Sequence, residues 1–316
     1  MARFIVRRLL VAIPIIVGVT IINYGLLNLA PGSPVDALVD PIAGSAAREA
    51  KRIELGLDKP VYVRYLLWVQ QLAQGNLGYS YADYQPVMRR IGERFGPTAG
   101  LVVLAVTMSV VLAVALGVLS ATRPYSGWDY AASGIGLLGV SVPGFFLGLG
   151  VIYVFSLKLR LLPTGGMLDT GARFTVDGFL QHAILPSVSL GLFSLGSFVR
   201  YVRSGMLEVL HADYVRTARA KGLGPRRIVY THSLRNAVLP LVTMVAAVVP
   251  RLLGGSVVIE QVFAWPGMGA LAIQAILQRD YPVLMGINLV VAALVVLGSL
   301  SADVLYAYVD PRIRYT

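Results

Sequence analysis

Cysteine is absent from all 316 residues, so disulfides, thiolate metal ligation and thiol nucleophiles are excluded. Histidine is nearly as scarce: His182, His211 and His232 are the only three, and none has a partner at the i+4 spacing of a helical metal site. With carboxylates dispersed as well, no metal or other cofactor site is expected, and nothing local marks a nucleophile or any other catalytic residue. No G-x-x-x-x-G-K-[ST] occurs, so the chain has no P-loop route to ATP, and energy from ATP has to arrive through a partner. Charge is the remaining scarcity. Charged residues make up 14% of the chain against 56% hydrophobic, with a mean hydropathy of +0.72. That is too few charges to solubilise a surface, and it defines an integral membrane protein.

What charge there is carries one sign, a formal +11. The bases gather beside apolar runs, which is how topology signals and membrane-surface segments look, so nucleic acid is not an expected partner. Arg3, Arg7 and Arg8 precede an apolar run over residues 9–30, long enough for the ~30 Å hydrocarbon core and too long for a cleaved signal peptide. Residues 31–98 are proline-bearing, amphipathic in places and nearly charge-balanced, as expected of a large external loop. Further spans are expected over residues 99–122, 131–157 (interrupted by Pro143), 181–199, 236–253 and 283–305. Residues 254–282 turn at Trp265, Pro266 and Gly267 and are expected to form an outer loop with a short helix. Arg312 and Arg314 follow the last span. The expected architecture is all-α with six transmembrane helices and both termini cytoplasmic. Residues 1–30 supply the N-terminus and first helix, and residues 99–316 form the core.

Gly134, Gly136 and Gly139 spell G-x-G-x-x-G, but they lie inside an apolar span rather than between a strand and a helix. They read as positions of close helix packing. Ionisable groups near span ends include Arg251, Glu260 and Asp303; Arg251 and Glu260 flank Gly254 and Gly255 and are candidates for the outer mouth of a polar path.

The most specific stretch is residues 207–240. From Arg200 to Arg235 there are eight bases against two acids, Glu208 and Asp213, so this short loop belongs in the cytoplasm. Residues 213–220 read as a helix with small Ala218 and Ala220; Gly222 and Gly224 break it, and Pro225 starts the next helix at its N1 position. A helix, glycine turn and helix make an elbow whose small residues permit close approach of another surface.

YVRTARAKGLG followed by HSLRNAVLP resembles the cytoplasmic EAA loop of bacterial ABC importer permeases, in the dipeptide/oligopeptide form. RFIVRRLL, LGLDKPVYVRYLLWV, LLPTGG, HAILPSVSL, VFAWPGMG, RDYP and DPRIR resemble that subfamily in the same order along the chain. Where the general pattern has Glu-Ala-Ala, this chain has Arg216, Thr217 and Ala218, the variant form of the peptide subfamily. The resemblance implies a non-enzymatic permease subunit of a bacterial or archaeal cytoplasmic (inner) membrane. It would supply half of a path for peptides or similar solutes. Its partners would be a second homologous permease, two cytoplasmic ATPases, an external solute-binding protein and membrane lipid. The elbow would be the coupling helix, with Asp213, Arg216, Thr217, Ala218, Ala220, Lys221, Gly222 and Gly224 as its ATPase-coupling residues. An ion-coupled carrier or channel independent of ATPases is the competing class; its usual intramembrane charges and internal repeats are not evident.

Overall fold

A computed structural model describes residues 2–40 and 44–309. Arg312 and Arg314, and with them DPRIR, lie outside the described residues, as does the side chain of Arg3. Every regular element among the described residues is helical, and Tyr79–Pro86 is an isolated antiparallel bridge. Five helices are long and apolar enough to cross a bilayer, six if one sharply bent pair counts as a single span. The chain divides into two compact units, Met1–Thr98 with Pro266–Leu297, and Ala99–Trp265 with Gly298–Thr316.

In the first unit, the apolar helix α1 (Ala2–Leu29) packs against α4 (Val61–Ala73). Tyr24 and Tyr65 meet at 5.4 Å between ring centroids, and Arg64 Nη2 donates to Asn28 Oδ1 at 2.9 Å. Between them, α2 (Pro34–Leu38) starts with a capping box, Ser33 and Asp36, and Pro34 is preorganised for its first turn. The short helix α3 (Ser45–Glu54) carries Lys51 and Arg52 in its last turn, complementing the helix dipole. The long helix α5 (Val87–Thr122) begins twelve residues before the expected span, because its first three turns are amphipathic rather than apolar and no hydropathy run announces them. Leu77, Val87 and Ile91 pack with Met268 and Leu271 of α13 (Met268–Leu277) and with Val283 of α14 (Tyr281–Val309).

Two acidic–basic staples fasten this unit. Asp280 has no exposed surface and accepts from Ser80 Oγ, from the Tyr81 backbone N–H at 3.0 Å and from Arg90 Nη1 at 3.3 Å. Its neighbour Arg279 donates to the Ser33 carbonyl at 3.2 Å and reaches Asp36 at 3.6 Å. The RDYP motif is therefore a structural clasp. Burial pushes the Tyr81 hydroxyl up to about 12.

The second unit is built round α8 (Val176–Leu210), the most buried of the span-forming helices, with 72% of its most apolar 18-residue stretch covered. Helix α6 (Gly127–Ser141) lies against it through glycine: a Cβ on Gly136 would fall 2.8 Å from Gly196 Cα, and one on Gly139 would fall 2.2 Å from the Leu192 carbonyl oxygen. Gly134 faces open space, so two of the three motif glycines serve packing and the third does not. Pro143 does more than kink this span. The residue before a proline is driven out of the helical region, Val142 is extended (ψ 129°), and α7 (Gly144–Val151) with its π-helical continuation Ile152–Lys158 leaves at 113°.

The short helix α9 (Asp213–Ala220) is followed by α10 (Pro225–Arg227), a π-helical stretch Ile228–Ser233, α11 (Leu234–Ala237) and α12 (Leu239–Val262). The span expected to end at residue 253 is longer: α12 runs on through Gly254 and Gly255 to Val262, into what was expected to be outer loop, since a membrane helix tolerates glycine. Only 22% of its most apolar 18-residue stretch is buried within the chain, as against 11% for α1 and 28% for α14, so all three present bare hydrocarbon faces.

Candidate functional site: the α9 elbow

The elbow is set by the end of α8. His211 caps that helix, its ring Nδ1 lying 2.7 Å from the Leu207 carbonyl oxygen. Two turns of α9 follow. Val215 and Ala218 are buried and, with Ile228, Val209 and Leu223, form a small hydrophobic cluster under the helix. Four-residue periodicity then leaves Asp213, Arg216, Thr217 and Ala220 facing out, together with Arg219 and Lys221. The outer face holds three cations against one carboxylate, and its single ion pair, Arg216 to Asp213 at 3.4 Å, is fully at the surface.

Termination is a Schellman motif. The Leu223 N–H donates to the Ala218 carbonyl at 3.2 Å and the Gly222 N–H to the Arg219 carbonyl at 2.9 Å, while Gly222 sits at φ +76°. A residue with a Cβ is strained in that region, which is why glycine stands there. Gly224 is extended and hands over to Pro225 at the first position of α10. Asn236 Nδ2 donates to Tyr214 Oη at 3.0 Å, pinning α9 to the returning chain. Of the residues expected to act in coupling, Asp213, Arg216, Thr217, Ala220, Lys221, Gly222 and Gly224 share the exposed side, and Ala218 faces inward as packing.

The base of the elbow is stiff. A Cβ on Gly205 of α8 would come within 2.9 Å of the Ala237 carbonyl oxygen, and one on Gly117 of α5 within 2.7 Å of Val202. Arg203 makes a two-pronged bond to Asp129, Nε to Oδ1 and Nη2 to Oδ2, both at 2.8 Å, and Ser120 Oγ also donates to that carboxylate. This brace joins α5, α6 and α8 two turns before the elbow. Residue by residue, Arg203 reads as one more topology charge; its partner is 74 positions away, and no local pattern links them.

Of the two residues expected at a polar mouth, one reaches a cleft. Arg251 is exposed and lines a cleft of about 300 Å³ with Phe193, Ser197 and Gly255. Glu260 has no exposed surface: Ser256 Oγ donates to its carboxylate at 3.0 Å, and its backbone carbonyl accepts from the N–H of Trp265 at 2.8 Å. Trp265 is itself fully buried, edge-on to Phe179 at 5.6 Å, and the neighbouring Phe263 carbonyl accepts from the Gly166 N–H of LLPTGG at 2.7 Å. Glu260 thus belongs to a packed frame, one helix turn past the cleft.

The family described as "Binding-protein-dependent transport system inner membrane component" matches residues 113–315, and its N-terminal component matches residues 1–102. The chain belongs to this family. Members are transport permeases rather than enzymes, and this chain is the membrane-spanning permease of an ABC importer. It is 42% identical over 316 residues to the oligopeptide transport system permease protein AppB of Bacillus subtilis, covering all of both chains. It is 39% identical over 337 residues to the dipeptide transport system permease protein DppB of Escherichia coli K12, covering 100% of this chain and 99% of that one. A chain of the inward-facing MetNI methionine ABC transporter superposes with a TM-score of 0.56 at 21% identity, over 71% of this chain and 97% of that chain, which shows a shared fold.

Proposed function

We propose that this permease supplies half of an import path for peptides or similar small solutes, and that α9 is the helix through which ATPase motion reaches it. The observation that carries this is the two-sided geometry of α9: an inner face of Val215 and Ala218 locked to the end of a buried 35-residue helix, and an outer face of small and cationic residues aimed away from the chain. A part that must transmit force needs one side fixed and the other free to dock. Docking would be into an acidic-rimmed groove of a cytoplasmic ATPase, which places the loop of residues 207–240 and both termini in the cytoplasm and residues 31–98 outside, in a bacterial or archaeal inner membrane. The bare faces of α1, α12 and α14 fit a second, homologous permease and lipid. Two ATPases and an external solute-binding protein complete the complex. Arg251 offers a cationic group to the path from its cleft, and Glu260 holds the end of α12 that forms the wall.

The peptide cargo rests on the full-length likeness to oligopeptide and dipeptide permeases. The test is reconstitution of the permease with its partner subunits in proteoliposomes supplied with a labelled dipeptide. Wild type should accumulate peptide only with ATP and both ATPases, and Arg216→Glu with Arg219→Glu should lose ATPase copurification and uptake together. Accumulation driven by an ion gradient without ATPases would overturn the reading.

A further inference from the structure

On the side of the second unit that carries the basic stretch, a groove of about 540 Å³ runs between the last turns of α5 and the chain just after the elbow. Along α5 it is lined by Val114, Ala115, Val118, Leu119 and Thr122, with Arg123 just past the helix end, and the returning chain contributes Pro225, Arg226, Val229 and Tyr230. No carboxylate lines it, and neither Arg123 nor Arg226 makes an ion pair or side-chain hydrogen bond among the described residues. Both arginines are exposed, and Tyr230 is 61% exposed.

We propose that this groove is a specific site for an anionic phospholipid, with the phosphate between Arg123 and Arg226 and one acyl chain lying along α5 from Leu119 towards Val114. Three features support that occupant over others. The apolar wall belongs to a helix that crosses the bilayer, so whatever fills it at that depth is hydrocarbon or carries a fully satisfied backbone, which an irregular protein segment does not. The distance from Arg123 to Val114 is nine residues of helix, roughly 13 Å, the reach of about the first ten carbons of a chain measured from its headgroup. Two guanidiniums presented without a carboxylate suit a phosphate, which accepts their forked donors, and Tyr230 in the same groove has the apolar body and polar tip that favour the headgroup region. Because Arg226 sits just past the Gly222 turn, a lipid held here would join the span α5 to the moving end of the elbow. The site rests on the membrane placement of α5 and on the groove's two arginines, and stands whether or not the cargo is a peptide.

The test is native mass spectrometry of the full-length permease, purified in detergent from membranes and titrated with phosphatidylglycerol, phosphatidylcholine or inorganic phosphate. One phosphatidylglycerol should be retained in preference to phosphatidylcholine. Near-surface arginines are worth about fivefold each, so Arg123→Gln with Arg226→Gln should weaken retention on the order of tenfold or more. Arg123→Lys with Arg226→Lys should keep most of it, and Arg227→Gln, outside the groove, should change nothing. Ala115→Trp leaves every charge in place and fills the apolar end, so it should also expel the lipid. Equal retention by wild type and the double glutamine variant would overturn the proposal. Two other results would do the same: retention unchanged by Ala115→Trp with competition by free phosphate, which marks a headgroup-only anion site, or, when the permease is copurified with its ATPases, lipid unchanged while the double glutamine variant sheds an ATPase, which marks a protein contact.

Discussion

Gly222 is the position where a single atom should separate ATP hydrolysis from uptake. It sits at φ +76°, and a Cβ built there would meet nothing within 4 Å, so the penalty for any replacement is set by the backbone alone. Alanine in the left-handed region costs about 1–2 kcal/mol, which lowers the population of the formed turn roughly five- to thirtyfold. Asparagine visits that region with a smaller penalty. Proline is locked near φ −65° and has no N–H, so it forbids the turn and also removes the 2.9 Å bond to the Arg219 carbonyl. Peptide taken up per ATP hydrolysed, measured in proteoliposomes, should therefore fall in the order Gly222→Asn, Gly222→Ala, Gly222→Pro. The asparagine variant should lie close to wild type, and the proline variant should hydrolyse ATP without uptake. Normal coupling in Gly222→Pro would refute the role of the turn. If Gly222→Asn were worse than Gly222→Ala, bare backbone at the docking surface, and not the sign of φ, would be the requirement.

Four further outcomes follow from the packing. Gly139→Leu should destabilise the α6–α8 contact by about 1–3 kcal/mol, read as a lower thermal midpoint in detergent, whereas Gly134→Ala should be neutral or slightly stabilising, since open space surrounds it. Asp129→Asn should lower that midpoint more than loss of the exposed Arg89–Glu93 pair, because Arg203 would keep its charge beside a neutral amide in a largely enclosed site. Asp280→Asn should weaken the clasp on residues 80–90 by about 2 kcal/mol and open the segment around Tyr81 to limited proteolysis, as loss of charge-assisted bonds predicts. The folded-state pKa of Tyr81 is raised to about 12 from 10.0, so the unfolded chain releases this proton first; stability contributed by the neutral hydroxyl is intact below pH 10 and should fall as pH rises towards 12. Tyr81→Phe should remove that alkaline loss, followed by tyrosinate absorbance against unfolding.

Hydropathy and two kinds of punctuation made much of this structure legible in advance. Apolar runs announce the spans because a bilayer selects on length and polarity alone, and the elbow is visible because Gly222 and Pro225 each impose a backbone geometry by their own chemistry. Errors arose where those signals and the actual constraint part company. Residues from 254 on read as outer loop because the run is only half apolar, yet inside a membrane helix the hydrogen-bonded backbone has no water to defect to, and α12 continues to Val262. The first turns of α5, from Val87, are amphipathic because they pack in the first unit, so no hydrocarbon run marks their start. Asp129 with Arg203 and Ser80 with Asp280 are separated by 74 and 200 positions, and pairing at such distances leaves no periodicity to read. Glu260 resembles a path-lining carboxylate by position, and only the fold reveals that Ser256 and the packing of Trp265 enclose it.

Helix α8 has a mechanical consequence. At 1.5 Å per residue its 35 residues make a rod of about 52 Å, well beyond the ~30 Å that hydrocarbon requires, and the elbow hangs from its last turn. A rod that long amplifies: pivoting it by ten degrees about one end carries the other through roughly 9 Å. Pro186, buried near its first third, is the one place where the hydrogen-bond ladder is interrupted and the rod can flex. If α9 receives the ATPase stroke as proposed, a push on its two turns becomes a displacement of several ångströms at the far end of α8, wide enough to admit a small solute.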